Sequence, residues 1–372
     1  MTHHIDQNTT YPVEKARRVF RFDSFPEFLV LIGYICACLS SFFGWHFKGA
    51  DSLFRYLTAV PILLSINWLK LDRDRIILLL FLGVALLARR LLVIWTLCAF
   101  AYQVGYLGIP VRKLGKLGVA CISCILIVQL GGVMFGVYEN KGYSFEKTGN
   151  LIYDLGTGNP NAIGGILFFY NLCWYVVLKN HHRLLFFITV SFISIVGYSI
   201  CGSRTSLYGS IILMALAAAL WIGAIRKWMR WLIAFLPVVL TFMTFWLAAN
   251  IEDNEEINDV TSKRLLFVVR LTKEYDTREW IVGAPREDDD PLDNVYLALT
   301  MTGGLTLIVV YCAGFAVANI CYFDKVKKYV PYMIALSAGG IGETYFAGPN
   351  SAAMIYWIVV MYPYFKYKPK LN

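Results

Sequence analysis

The side chains best placed to do chemistry are charged or amide groups set where charge is expensive. Arg204 lies in Cys201-Gly202-Ser203-Arg204-Thr205-Ser206, between two apolar runs that leave almost no loop. An arginine at membrane depth costs about 3 kcal/mol on insertion scales unless it is paired or lines a wet cavity. It is either a snorkelling end-of-helix arginine or, with Ser203, Thr205 and a helix N-terminus, an anion site suited to phosphate. Arg89 and Arg90 fall on the same face, as interfacial anchors or ligand contacts. Gly158-Asn159-Pro160-Asn161 reads as a helix start with an Asn cap and a favoured Pro. The amides of Asn159 and Asn161 suit sugar hydroxyls equally well. Asp293-Asn294-Val295-Tyr296-Leu297 opens another apolar run. Asp293 is a helix cap or, desolvated at the boundary, a general base. Glu343, near the end of a later run, is a second candidate base or the partner of an arginine. Arg264, Arg270, Arg278 and Arg286 precede Asp293.

Other clusters are weaker. Asp288-Asp289-Asp290 reads as a solvated acidic run, and His181-His182 as loop residues. Cys36 and Cys38, like Cys121 and Cys124, sit in apolar runs without polar company. They read as small buried hydrophobes and not as metal ligands. No metal is expected.

The elements that must position these residues are helices in a membrane. The chain has 372 residues, 58% of them hydrophobic and only 16% charged, with a mean hydropathy of +0.57. That excludes a soluble globular enzyme and a disordered chain. Apolar runs fall at about 28–47, 53–69, 76–88, 91–108, 117–137, 161–178, 184–202, 205–224, 231–249, 294–320, 329–347 and 350–365. A span needs roughly 20 apolar residues. The expectation is an all-α polytopic membrane protein of about twelve spans, or ten to eleven if 76–108 forms a hairpin or one tilted span. The first run reads as a retained span and not a cleaved signal. Residues 1–27 read as a cytoplasmic segment, and 250–292, with 12 acidic and six basic residues, as one long extracytoplasmic loop before the last three spans. An amphipathic helix is expected near 262–275 as a lid.

The net charge of +9 divides along this topology. The loops on one side hold 21 basic and seven acidic residues; the other side holds 13 and 18. Basic loops lie in the cytoplasm, so both termini are expected there. The positive charge is therefore an orientation signal and not a sign of nucleic-acid binding.

Taken in order, these motifs resemble a known family. Gly158-Asn159-Pro160-Asn161 is similar to a Gly-His-Pro-Asn motif, and Gly202-Ser203-Arg204-Thr205-Ser206 to a Ser-Arg-Thr segment. Ser262-Lys263-Arg264 is similar to a Ser-Gly-Arg element, and Asp293-Asn294-Val295-Tyr296-Leu297 before Gly303-Gly304-Leu305 to an Asp-Asn-x-Tyr-Leu motif. Over about 155–350 the chain resembles the bacterial O-antigen and capsular polysaccharide polymerases (Wzy-type), within the superfamily that includes the O-antigen ligases. Asn159 stands where that motif has His, and Lys263 where it has Gly.

The resemblance implies a glycosyltransferase on the outer face of the bacterial cytoplasmic membrane. Its donor would be a glycan on undecaprenyl diphosphate, its acceptor a lipid-linked repeat unit, and its reaction a metal-independent inverting displacement without cofactor. Arg204 and Arg264 would hold the diphosphate, with Arg270 and Arg90 as further candidates. Asn159, Asn161, Asn294 and Tyr296 would contact glycan, and Asp293 or Glu343 would be the base. A chain-length regulator is a candidate partner beside the membrane lipids. The ligase branch carries His where this chain has Asp293, which favours polymerase. The alternatives are a ligase-type transferase, a lipid-linked oligosaccharide flippase or transporter, and a non-catalytic membrane scaffold.

Overall fold

The computed structural model describes residues 24–47, 50–88, 91–144, 151–180, 182–250, 269, 276–283 and 294–371. Five helices precede a small hairpin: α1 (Phe25–His46), α2 (Ala50–Ser65), α3 (Arg73–Leu87), α4 (Leu92–Tyr106) and α5 (Val111–Met134). The hairpin pairs β1 (Gly142–Ser144) antiparallel with β2 (Leu151–Tyr153). Then follow α6 (Pro160–Leu178), α7 (Arg183–Cys201), α8 (Arg204–Trp221), α9 (Arg230–Asn250), the short α10 (Thr277–Val282), α11 (Val295–Cys321), α12 (Val330–Gly339) and α13 (Ser351–Val360). Every apolar run falls on a helix. Seven helices are long and apolar enough to cross a membrane: α1, α5, α6, α7, α8, α9 with its leading turn, and α11. The chain is an all-α multi-pass membrane protein. The long loop expected over 250–292 is described only at 269 and 276–283, and the amphipathic stretch near 262–275 lies outside the described residues except Val269.

The remaining helices are short. The run at 76–108 forms two antiparallel helices, α3 and α4, tied where Trp95 Nε1 donates to Leu78 O at 2.9 Å. The run expected at 329–347 ends its helix at Gly339, and the one at 350–365 ends at Val360. Gly339-Gly340-Ile341-Gly342 and Gly348-Pro349 break the helix, since glycine relaxes it and proline bars helical geometry before it. Ten residues of helix span about 15 Å, half the hydrocarbon thickness. Protein therefore surrounds these two helices, and all ten residues of α13 are buried. Glycines let the packing close: Gly314 lies against Val360 O and Tyr364, Gly115 against Val176, and Gly33 against Ile62 and Thr58 O.

The two ends of the bundle differ. At one end the basic loops, far apart in sequence, meet in space. Lys113 pairs with Glu27 at 2.7 Å, Lys366 N donates to Asp74 Oδ2 at 2.6 Å, and Val111 N donates to Lys370 O at 3.1 Å. At the other end His46 stacks on Tyr138, 4.0 Å between ring centroids. His46 Nε2 lies 2.9 Å from Gln129 Oε1, and Gln129 Nε2 donates to Leu155 O beside the hairpin.

Helix α11 is broken inside. Gly303 (φ −142°, ψ 16°) and Gly304 (φ 67°, ψ −170°) leave helical geometry. Gly304 occupies a region that side-chain-bearing residues essentially do not enter. Helix α10 explains the break. It is closed by a capping box, with Glu279 N donating to Asp276 Oδ1 at 2.7 Å and Asp276 N to Glu279 Oε2 at 3.1 Å. Its last turn lies on the broken segment: Thr306 Oγ1 donates to Ile281 O at 3.0 Å, and a Cβ on Gly304 would collide with Ile281 O. Gly304→Ala is expected to lower stability by about 2 kcal/mol or more, from strain and this collision together. Gly83→Ala, where a Cβ meets open space in α3, is expected to change it by less than about 0.5 kcal/mol. Unfolding of the two purified variants measures the difference, and equal effects would contradict the docking role.

Candidate functional site at a junction of helix N-termini

Of the helices that begin at the end away from the basic loops, α6, α8, α11 and α13 all contact the segment 340–350. Helix α6 begins at Asn159, whose side chain accepts from Asn161 N at 2.9 Å, with Pro160 in the first turn. Helix α8 begins after Gly202 (φ 64°), which closes α7, and Ser203. Only a small side chain fits between α6 and α8, because a Cβ on Gly164 would strike the Ser203 side chain. Ser203 Oγ lies 3.0 Å from Ser206 Oγ, and Ser206 Oγ 3.2 Å from the Tyr345 hydroxyl. The ring of Tyr345 packs on Phe168 and Phe169 of α6, with centroids 5.3 and 5.2 Å away.

The other two starts meet the same segment. Asn294 Oδ1 accepts from Tyr296 N at 2.9 Å and Leu297 N at 3.0 Å, which caps α11. Its Nδ2 donates to Ile341 O at 2.8 Å, and Val295 N donates to Gly340 O at 2.8 Å. Asn350 caps α13 by accepting from Ala352 N at 3.0 Å and Ala353 N at 2.8 Å. Its Nδ2 donates to Tyr345 O at 2.7 Å.

The cap residues of these four helices are Asn159, Ser203, Asn294 and Asn350. None carries a charge. A helix N-terminus bears about half a positive charge, and a carboxylate cap would offset it, as Asp72 does at α3. None of these four caps offsets the positive ends in that way, and Arg204 adds a full charge in the first turn of α8. The arrangement favours an anion. Glu343, on the same segment, is the carboxylate at hand. Arg204 and Glu343 are half-buried and both are engaged in interactions.

A small cavity of about 10 Å³, room for about one water molecule, lies beside the junction between α6, α7 and α8. Asn171, Ser194, Ser203, Ser206 and Ser210 supply its polar wall. Asn171 Nδ2 donates to Ser194 Oγ at 3.0 Å and Ser210 Oγ at 2.9 Å, while its Oδ1 is buried without a partner among the described residues. A buried acceptor of this kind is usually met by water or a ligand hydroxyl. The signal for this wall was present as polar residues inside apolar runs, with Ser203, Ser206 and Ser210 on one face of α8.

The hairpin sits beside the start of α6. Asp154 is buried and accepts from Lys141 N at 3.0 Å, Gly156 N at 2.9 Å and the Tyr143 hydroxyl at 3.2 Å. The Tyr143 hydroxyl also reaches Gly158 O at 3.3 Å. Ile152 of β2 fills the space over Gly202.

The expected site residues divide three ways. Asn159, Asn161, Arg204 and Glu343 come to the junction; Asn161 is half-buried, and its side-chain amide bonds to no described residue. Asn294 and Tyr296 depart from the expected glycan contact. Asn294 is the cap of α11, the role considered for Asp293, and its amide is spent on backbone and Thr244. Tyr296 is 0% exposed, with its hydroxyl donated to Ser337 O at 3.0 Å. It packs the core and offers no face to a ligand. Asp293, Arg264, Arg270 and Arg90 lie outside the described residues. Among the described residues no three His, Cys, Asp or Glu side chains are grouped to hold a metal.

Comparison with known proteins finds no matching family model, no matching curated protein and no matching solved structure.

Asn171→Ala removes two buried hydrogen bonds and is expected to cost about 2 kcal/mol, the higher end for bonds between membrane helices. Denaturant titration of the purified variant measures it. A wild-type midpoint would mean that the polar wall does not hold α6, α7 and α8 together.

Proposed function

We propose that the chain is a polysaccharide repeat-unit polymerase of the O-antigen and capsule type, a glycosyltransferase of the outer face of the bacterial cytoplasmic membrane. The observation that carries this reading is the junction itself. Segments near Asn159, Arg204 and Glu343, distant in sequence, are drawn together by the contacts of Gly164 with Ser203 and of Ser206 with Tyr345, at helix N-termini with uncharged caps beside a small cavity. The motif resemblance adds Asp293 and Arg264 to this reading, with Arg270 and Arg90 as further candidates for the diphosphate.

The chemistry follows from charge. The anomeric carbon of the donor glycan loses its bond to the lipid diphosphate and gains a bond to an acceptor hydroxyl oxygen. The acceptor proton passes to a carboxylate, Asp293 or Glu343, and the lipid diphosphate departs carrying the bond's electron pair. Arg204 and the helix N-termini stabilise the charge that develops on the leaving group, which in a partly dry site is the largest contribution available. In this reading the twelve long-run helices cross the membrane in sequence, with α12 and α13 as short inner crossings. The basic end faces the cytoplasm with both termini.

A second reading, a lipid-linked oligosaccharide transporter, is favoured by one observation. Transporters commonly carry interrupted helices at their binding sites, and both α11 and the 340–350 segment are interrupted.

Deletion of the gene is expected to leave single lipid-linked repeat units and no long polymer on the outer face. Long chains that fail only to reach their lipid anchor would replace polymerase by ligase, and repeat units held on the inner face would replace it by transporter. Arg204→Ala is expected to abolish polymer at a normal protein level, read from a glycan ladder and an immunoblot. Wild-type chain lengths would remove Arg204 from the site. A fluorescent-protein fusion after Lys370 is expected to fluoresce, and an alkaline phosphatase fusion after Lys141 to be active. The opposite pair of results would invert the orientation.

A further inference from the structure

A second cluster lies at the basic end, away from the junction. Lys179 follows the last turn of α6 and is 4% exposed. Its Nζ sits 3.1 Å from the ring centroid of Tyr329 and has no hydrogen-bond partner among the described residues. Two other charged groups act on it, Arg112 in the first turn of α5 and Lys328 just before α12, and both are cations. Arg112 Nε and the Tyr329 hydroxyl are also buried without a partner among the described residues. The neighbouring carboxylate, Glu27, is already paired with Lys113 at 2.7 Å. The backbone around the cluster is satisfied: Tyr175 donates to Lys328 O at 2.6 Å, and Trp221 Nε1 to Lys179 O at 3.1 Å.

Burial, and then the two neighbouring cations, push the Lys179 ammonium well below the usual lysine range. Loss of its proton would relieve Lys179 alone. Arginine keeps its proton in proteins, so the buried Arg112 Nε would still lack an acceptor. An anion satisfies all three donors together, which neutralising one lysine does not. The N-terminus of α5 favours an anion here, and the closing carbonyls of α6 oppose it.

We propose that Lys179, Arg112 and Tyr329 form a binding site for a phosphate group, with Lys328 at its exposed rim. A phosphate offers several strong acceptor oxygens to converging cationic donors. It comes either from the headgroup of an acidic phospholipid in the adjoining leaflet or from free phosphate. Basic pockets between membrane helices are suited to such headgroups. The site is independent of the junction and of the function proposed for it.

The test uses the full-length protein purified in a neutral detergent and phosphate-free buffer, with phosphatidylglycerol and inorganic phosphate as separate probes. Wild-type protein is expected to gain about 3 °C in its unfolding midpoint with saturating probe. Lys179→Met and Arg112→Gln are expected to lose most of that gain, while Lys116→Gln, which removes an equal charge at the same end, keeps it. A gain with phosphatidylglycerol alone identifies a lipid headgroup; a gain with inorganic phosphate identifies free phosphate. No gain with either probe, a gain that survives in Arg112→Gln, or a gain lost equally in Lys116→Gln overturns the proposal. If Lys179→Met does not fold, the Arg112→Gln and Lys116→Gln pair still decides it.

Discussion

Backbone polar groups cannot be left unpaired in hydrocarbon, and the architecture follows from how this chain meets that demand where its helices stop short. Helix α12 ends at Gly339 and α13 begins at Ser351, so the segment between them must find partners in protein. It finds them in Val295 N, the Asn294 amide, the Asn350 amide and Trp357 Nε1, which donate to Gly340 O, Ile341 O, Tyr345 O and Phe346 O. The last turn of α10 lies on the break in α11, where Thr306 Oγ1 donates to Ile281 O. Each repair brings a further helix start or loop element to one end of the bundle. The junction is thus the product of the same bonds that make the interrupted helices tolerable.

The two ends then acquire opposite uses of positive charge. At the basic end the charges belong to side chains, and several are paired or spread over aromatic rings, as with Arg75 over Tyr106 at 4.6 Å. At the junction the positive charge comes mainly from helix ends with neutral caps, with Arg204 added. Such fixed dipoles need no reorganisation when an anion arrives, which is the property expected of a site that stabilises a departing diphosphate. Asn171 and the serines carry this polar environment inward between α6, α7 and α8, where an otherwise apolar interior would exclude it.

Much of this was legible in the residues themselves. The apolar runs coincide in place with helices because burial in lipid or in protein asks for the same composition. Asn159 stands out as a cap, and Arg204 and Glu343 as exceptions in apolar surroundings. The lengths of α12 and α13 were less legible, because a helix wrapped by protein can end at a glycine that a lipid-facing one could not afford. The cap of α11 shifted from Asp293 to Asn294, since an amide can accept from the helix and donate to Ile341 O, and a carboxylate can only accept. The burial of Tyr296 and the contact of Ser206 with Tyr345, 139 residues apart, depend on tertiary neighbours that no local pattern encodes. The three-residue hairpin strands are too short to show alternation, and their closure rests on one buried side chain, Asp154.

The central claim is that the junction transfers a glycan between lipid diphosphates. The most direct measurement reconstitutes the purified chain in liposomes with lipid-linked repeat units and follows glycan length and free lipid diphosphate together, with chelator present. The claim predicts that polymer grows and that one lipid diphosphate is released per bond formed. Repeat units that cross the bilayer with their diphosphate intact and no growth in length would contradict it.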